Sequence, residues 1–174
     1  MKSLKKIIQI LSISTLLAHL VAFKAIAAHD PEVSQAFASF IETMHASVQT
    51  VNKSSSICIY GSDDISLRMQ SQNKLVVILD VNTASKKNYY GECRIIYVAK
   101  DSEKFVKSFI ETLNRSGALT VAAFDSFVND GGMVFIDLGR RDFELTVNSQ
   151  AFKKSGVKLD SAITALIINN KSRQ

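Results

Sequence analysis

Hydrophobic residues recur along this chain in two rhythms. In HDPEVSQAFASFIETMHASVQTVNK, Val33, Phe37, Phe40, Ile41, Met44, Val48 and Val51 fall three or four apart, which predicts a helix with one buried stripe. Asp30 suits its cap and Pro31 its first turn. SSICIYG reads as a short apolar strand ending in Gly61, SDDISLRMQSQ as a short helix capped by Ser62 or Asp63, and KLVVILDV as a second strand. The last has an unbroken apolar run, which predicts cover on both faces, as in a parallel sheet flanked by helices. After the polar loop NTASKKNYYG, ECRIIYVA repeats the buried-strand pattern, and Asp101-Ser102 opens a helix with Phe105, Val106, Phe109, Ile110 and Leu113 at helical spacing. Gly117 suits the end of that helix, and ALTVAAF makes a fourth strand. Strand, helix, strand, strand, helix, strand is an α/β pattern.

Beyond FDSFVND, a single helical turn, Gly131 and Gly132 stand side by side before MVFIDL. A phosphate loop needs its glycines after a strand and before a helix, so that backbone N–H groups face the anion. Here they precede a strand, and both read as positive-φ positions that turn the chain into it. MVFIDL and FELTVN form an antiparallel hairpin around a loop at 139–142. In its second strand Phe143, Leu145 and Val147 alternate with Glu144, Thr146 and Asn148, so one face is buried. Asn148 is placed to cap the helix SQAFKKS and Gly156 to end it; Asp160 or Ser161 can cap a last helix with Ile163, Leu166 and Ile167 inward. The expected fold is a single α/β domain, a mainly parallel sheet flanked by helices with a C-terminal antiparallel hairpin.

The N-terminus changes how charge and cysteine are read. Residues 1–27 have a basic start (Lys2, Lys5, Lys6), an uncharged apolar core from Ile7 to Ala22, and small residues at Ala25 and Ala27. That is the build of a signal peptide, with a core short of the ~20 residues that cross a bilayer. An uncleaved anchor is the alternative, and Lys24 near the cut favours it. Residues 28–174 then form the mature domain. Four of the 21 basic residues lie in the leader, leaving 17 against 16 acidic, so the basic excess of the whole chain does not argue for nucleic acid. Cys58 and Cys93 in an exported chain read as one disulfide; a metal pair is the other use for two thiols, but no histidine is near either in sequence. Bridged cysteines need Cα atoms within about 7 Å. Their strands should therefore be adjacent, with KLVVILDV outside them and a topological switch point between the first and third strands.

Little in the sequence suggests catalysis, a metal or a cofactor. There is no G-x-S-x-G, HExxH or C-x-x-C, and His45 is the only histidine well inside the mature part, where it reads as a partly exposed packing residue. Asp63, Asp64 and Asp101 would meet at one sheet edge in the inferred strand order, like the acidic pocket of a phospho-receiver domain. Helix capping by Asp63 and Asp101 is the simpler use. A small ligand in the switch-point cleft is the alternative function. An edge strand can pair across chains, so the hairpin, through Phe135, Phe143 and Glu144, is the candidate partner surface, and homodimerisation is an equal use of it.

The glycine pair, the strand after it, FELTVN and AFKKSGVKLDSAI resemble the C-terminal signature of the YfiR/HmsC family of exported bacterial proteins. SQAFASFIETM is similar to that family's opening helix, ICIYG to its first strand, CRIIYVA to its cysteine-led strand and ALTVAAFDSFVNDGG to the segment before the glycines. The chain departs from the family in lacking tryptophan and in carrying one cysteine pair. The resemblance implies a non-enzymatic periplasmic regulator that binds and represses an inner-membrane diguanylate cyclase or similar sensor, linking envelope conditions to cyclic di-GMP and biofilm formation.

Overall fold

The computed structural model describes residues 31–50, 55–72, 76–79, 89–137, 143–161 and 163–164. Residues 1–30, Val51, the hairpin loop 139–142, Leu166 and Ile167 lie outside them. The elements run α1 (Pro31–Ser47), β1 (Val48–Gln49), β2 (Ser56–Tyr60), α2 (Asp64–Gln72), β3 (Val76–Leu79), β4 (Cys93–Val98), α3 (Val106–Arg115), β5 (Leu119–Ala122), α4 (Ser126–Asn129), β6 (Val134–Asp137), β7 (Glu144–Val147), α5 (Ser149–Ser155) and β8 (Lys158–Leu159). Six strands form one sheet in the order β3-β2-β4-β5-β6-β7. All its pairings are parallel except β6 with β7. The fold is therefore α/β with a terminal hairpin, and β3 lies outside β2 while β2 and β4 are neighbours.

Side-chain alternation divides the core between the two faces of the sheet. Ile57 and Ile59 of β2, Ile95 and Tyr97 of β4, Leu119 and Val121 of β5, and Val134 and Ile136 of β6 pack beneath Phe37, Ala38, Ile41 and Met44 of α1 and Ile65 and Met69 of α2. Cys58, Tyr60, Ile96, Val98 and Ala122 face the other way, under Val106, Ile110 and Leu113 of α3 and Phe127 of α4. Helix α5 contributes Ala151 to the first cluster and also lies against α3.

A β-bulge at Arg94 makes the cysteine bridge possible. Ser56 pairs with Cys93 but Ile57 pairs with Ile95, so one extra residue enters β4. Strict alternation would put Cys93 on the Ile95 face; the extra residue moves it to the Cys58 face. The two cysteines form a disulfide with Cα atoms 5.6 Å apart.

Four expectations need correction. Helix α1 stops at Ser47, and Val48–Gln49 pair antiparallel with Lys158–Leu159. The run VQTV carries β-branched residues that favour a strand once a partner is present. Asp101 and Ser102 do not begin α3: a 3-10 turn occupies Lys100–Phe105, and its tighter winding takes Phe105 off the buried stripe, leaving it 65% exposed. The apolar run in β3 is not covered on both faces: Ile78 is 49% exposed, and among the described residues β3 pairs only with β2. Only Gly131 of the glycine pair has positive φ, at 107°. Gly132 is needed for space, since a Cβ there would collide with the Phe127 ring.

Candidate functional site

The switch point lies at the C-terminal ends of β2 and β4, because α2 leaves β2 over one face and α3 follows β4 over the other. The structure brings Asp63 and Asp101 together here. Asp63 Oδ1 accepts the Ser66 N–H at 2.8 Å, capping α2, while Ser66 Oγ accepts the Asp63 N–H in return. Asp63 Oδ2 accepts the Tyr97 hydroxyl at 2.8 Å and the Lys100 N–H at 2.9 Å. Asp101 caps nothing. Its Oδ1 accepts the Ser62 N–H at 2.9 Å across the gap and the Ser102 hydroxyl. Gly61, at φ 89°, passes so close beneath that a Cβ would strike Asp101 and Ser102. Asp64 is exposed in the first turn of α2.

These contacts make the cleft a clasp. The N–H groups that would cradle an anion at the switch point, those of Ser62, Ser66 and Lys100, are already taken by the two carboxylates. Among the described residues no group of three or more His, Cys, Asp or Glu side chains is arranged to hold a metal ion. Burial first, and the charge of Asp63 second, push the Tyr97 hydroxyl well above its usual range, so it stays protonated and donates. This bond between β4 and the β2–α2 loop left no trace in sequence periodicity. The D-x-x-S spacing of Asp63 and Ser66 was the available signal for the cap.

The opposite end of the sheet holds the glycine pair and the caps. Gly131 and Gly132 N–H groups donate to Val128 and Phe127 carbonyls, so neither faces an anion. Asn114 Nδ2 holds the Gly131 carbonyl, Asn114 Oδ1 accepts from Thr120 Oγ1, and Thr120 Oγ1 accepts from Met133 N–H. This chain ties α3, β5 and the turn together. Asn148 Oδ1 accepts from Gln150 and Ala151 N–H groups while its Nδ2 donates to Val128 O; Gly156 ends α5 in the left-handed region. Asp160 Oδ1 accepts the Ile163 N–H. His45 is half-buried at the end of α1, its Nε2 2.8 Å from Ser55 O, while its own carbonyl accepts from Arg94 Nη1.

The hairpin residues differ in access. Glu144 is exposed on the edge strand β7, whereas Phe135 and Phe143 are half-buried. Phe143 spends its ring on Phe37 and Phe40, with centroids 6.0 and 5.4 Å away. The large apolar side chains most open to solvent among the described residues are elsewhere: Leu67 on α2, Ile78 on β3 and Phe105.

No curated protein matches the chain. A solved structure, a conserved domain protein from Vibrio cholerae O1 biovar El Tor, shares the fold with a TM-score of 0.54 at 12% identity, over 76% of this chain. The chain spans 58% of that protein's length. The YfiR/HmsC-like family profile matches residues 32–166, from the first turn of α1 to beyond the last described residue. The match covers most of the 174 residues, and the chain belongs to the YfiR/HmsC-like family.

Proposed function

We propose that this protein is exported to the periplasm by cleavage of residues 1–27 and, as a non-enzymatic regulator, binds the periplasmic part of an inner-membrane diguanylate cyclase or a similar sensor. Binding holds the cyclase inactive and lowers cyclic di-GMP, and with it biofilm formation. The observation that carries this reading is the family match across 32–166, which includes nearly every described element. Two further observations support it. A disulfide suits an oxidising compartment. The switch-point polar groups are consumed by the clasp, which disfavours the alternative of a small ligand held there.

The hairpin edge is the proposed contact for the cyclase. Among the described residues strand β7 pairs on one side only, with β6; Glu144 stands exposed on it, and Phe135 and Phe143 lie half-open beside it. A partner strand could add there, with main-chain bonds for affinity and Glu144 for selectivity. The test is affinity capture from envelope extracts on the mature chain, together with cyclic di-GMP measurement after deletion of its gene. The expected result is recovery of a membrane-bound cyclase, weakened by Glu144→Lys, and a rise in cyclic di-GMP on deletion. Capture without any cyclase or comparable sensor, and unchanged cyclic di-GMP, would remove this function.

A further inference from the structure

The bulge in β4 is held from both faces of the sheet at one point. Ser56 pairs with Cys93 and Ile57 with Ile95, so Arg94 is the residue that β2 does not match. On the α3 face Cys93 is bridged to Cys58. On the α1 face Arg94 Nη1 donates to the His45 carbonyl at 3.3 Å, and His45 Nε2 lies 2.8 Å from the carbonyl of Ser55, the residue before β2. His45 thus ties the start of β2 to the bulge of β4 from one side, where the disulfide ties the same two strands from the other. Its carbonyl is one of the last four of α1, which lack partners inside a helix, and a guanidinium there meets the negative end of the helix dipole.

We infer that Arg94 couples the disulfide to the C-terminal end of α1, so that the bridge and the seating of that helix end strengthen each other across the sheet. The inference is independent of the cyclase reading. The coupling follows from register. Without the extra residue, alternation places Cys93 on the α1 face, away from Cys58, and turns position 94 toward α3. One rearrangement therefore undoes both contacts: a β4 without the bulge has neither the bridge nor a guanidinium aimed at His45. A bridge that fixes the bulge holds Arg94 in place for α1, and by the reciprocity of linkage the seated helix end holds Cys93 in place for Cys58. The same helix end leads into β1, and its Ser47 carbonyl accepts the Asp160 N–H. The state of the buried bridge is thereby passed to the two-stranded sheet of β1 and β8.

The test is a double-mutant cycle in urea unfolding, on the parent chain, Arg94→Ala, Cys58→Ala/Cys93→Ala and the triple variant. Arg94→Ala should lower the folding equilibrium constant about fivefold more in the bridged chain than in the chain without cysteines. Equal costs would show two independent contacts, and a larger cost without the bridge would show contacts that substitute for each other; both results overturn the inference. A second measurement needs no triple variant. The Arg94 charge helps to hold the His45 pKa down, against an opposing contribution from Glu42. In folded Cys58→Ala/Cys93→Ala, the His45 titration followed by NMR should therefore shift upward, in the direction that Arg94→Ala moves it. A titration that stays at the parent value when the bridge is removed would mean that the helix end is blind to the disulfide, and the coupling would be lost.

Discussion

The two faces of the central sheet solve the same problem by different means. On one face, two helices lay a broad stripe over the strands: α1 alone buries Phe37, Ala38, Ile41 and Met44, and α2 adds Ile65 and Met69. Aromatic rings interlock there, Phe37 edge-on to both Tyr97 and Phe143. The other face has α3, a single turn of α4, and a smaller apolar cluster that includes the disulfide. The broad face is held by area; the narrow face adds a covalent link and close backbone approach, at Gly132 beneath Phe127. Substitution should therefore be felt most sharply on the narrow face, where few side chains share the load.

The largest effect should follow loss of the bridge. With the cysteines separated by 35 positions in sequence, replacing both Cys58 and Cys93 by Ala should cost about 4 kcal/mol in the chain-entropy model. Urea midpoints with unchanged slope would measure it. Both cysteines are at most 1% exposed, so reductant should leave the bridge intact until the chain unfolds. Easy reduction of the folded protein would show that the narrow face opens locally.

Gly132→Ala ranks next. Its Cβ would enter the ring of the fully buried Phe127, and overpacking of this kind costs about 2 kcal/mol. Among the described residues nothing lies within 4 Å of where a Cβ at Gly91 would sit, so Gly91→Ala should be near neutral. Equal effects at the two glycines would show that the narrow face can shift to make room.

Much of the architecture was legible because periodicity and sterics act locally. The stripe of α1, the strands ICIY and RIIYV, the alternation in FELTV and the caps at Asn148 and Gly156 each follow from a few adjacent residues. Strand order came from one non-local inference, that bridged cysteines put β2 beside β4. Illegible features depend on a distant partner. Val48 and Gln49 continue a helical pattern until Lys158 and Leu159 arrive to pair with them. The bulge at Arg94 appears only when β4 is set against β2, and Asp63 finds Tyr97 across 34 residues. Gly132 was correctly singled out for the wrong reason: a sequence shows that a glycine is present, not whether conformation or crowding demands it.

Asn148 tests a joint between the faces, since its Oδ1 caps α5 and its Nδ2 reaches α4. Asn148→Ala should cost about 1–2 kcal/mol by loss of the cap, whereas Asn148→Asp should keep the cap and lose only the bond to Val128 O. A full rescue by Asp, in thermal unfolding, would make the bond to α4 dispensable.

His45 tests the broad face and should give the smallest effect. Burial holds its pKa below the ordinary 6.5; the Ser55 carbonyl bond opposes that, Arg94 adds to it, and Glu42 opposes it. The folded state therefore prefers the neutral ring. Its contribution to stability is fully present above pH 6.5 and is lost as pH falls through the lowered folded value, because the unfolded chain takes up the proton first. His45→Gln can keep a donor toward Ser55 O without a titrating ring. Urea midpoints should accordingly drop less for His45→Gln than for the parent between about pH 7.5 and about pH 5.5, with other groups common to both. An identical drop would mean that the end of α1 already admits enough water to hold the charged ring, and that the broad face is closed over its centre but not at this margin.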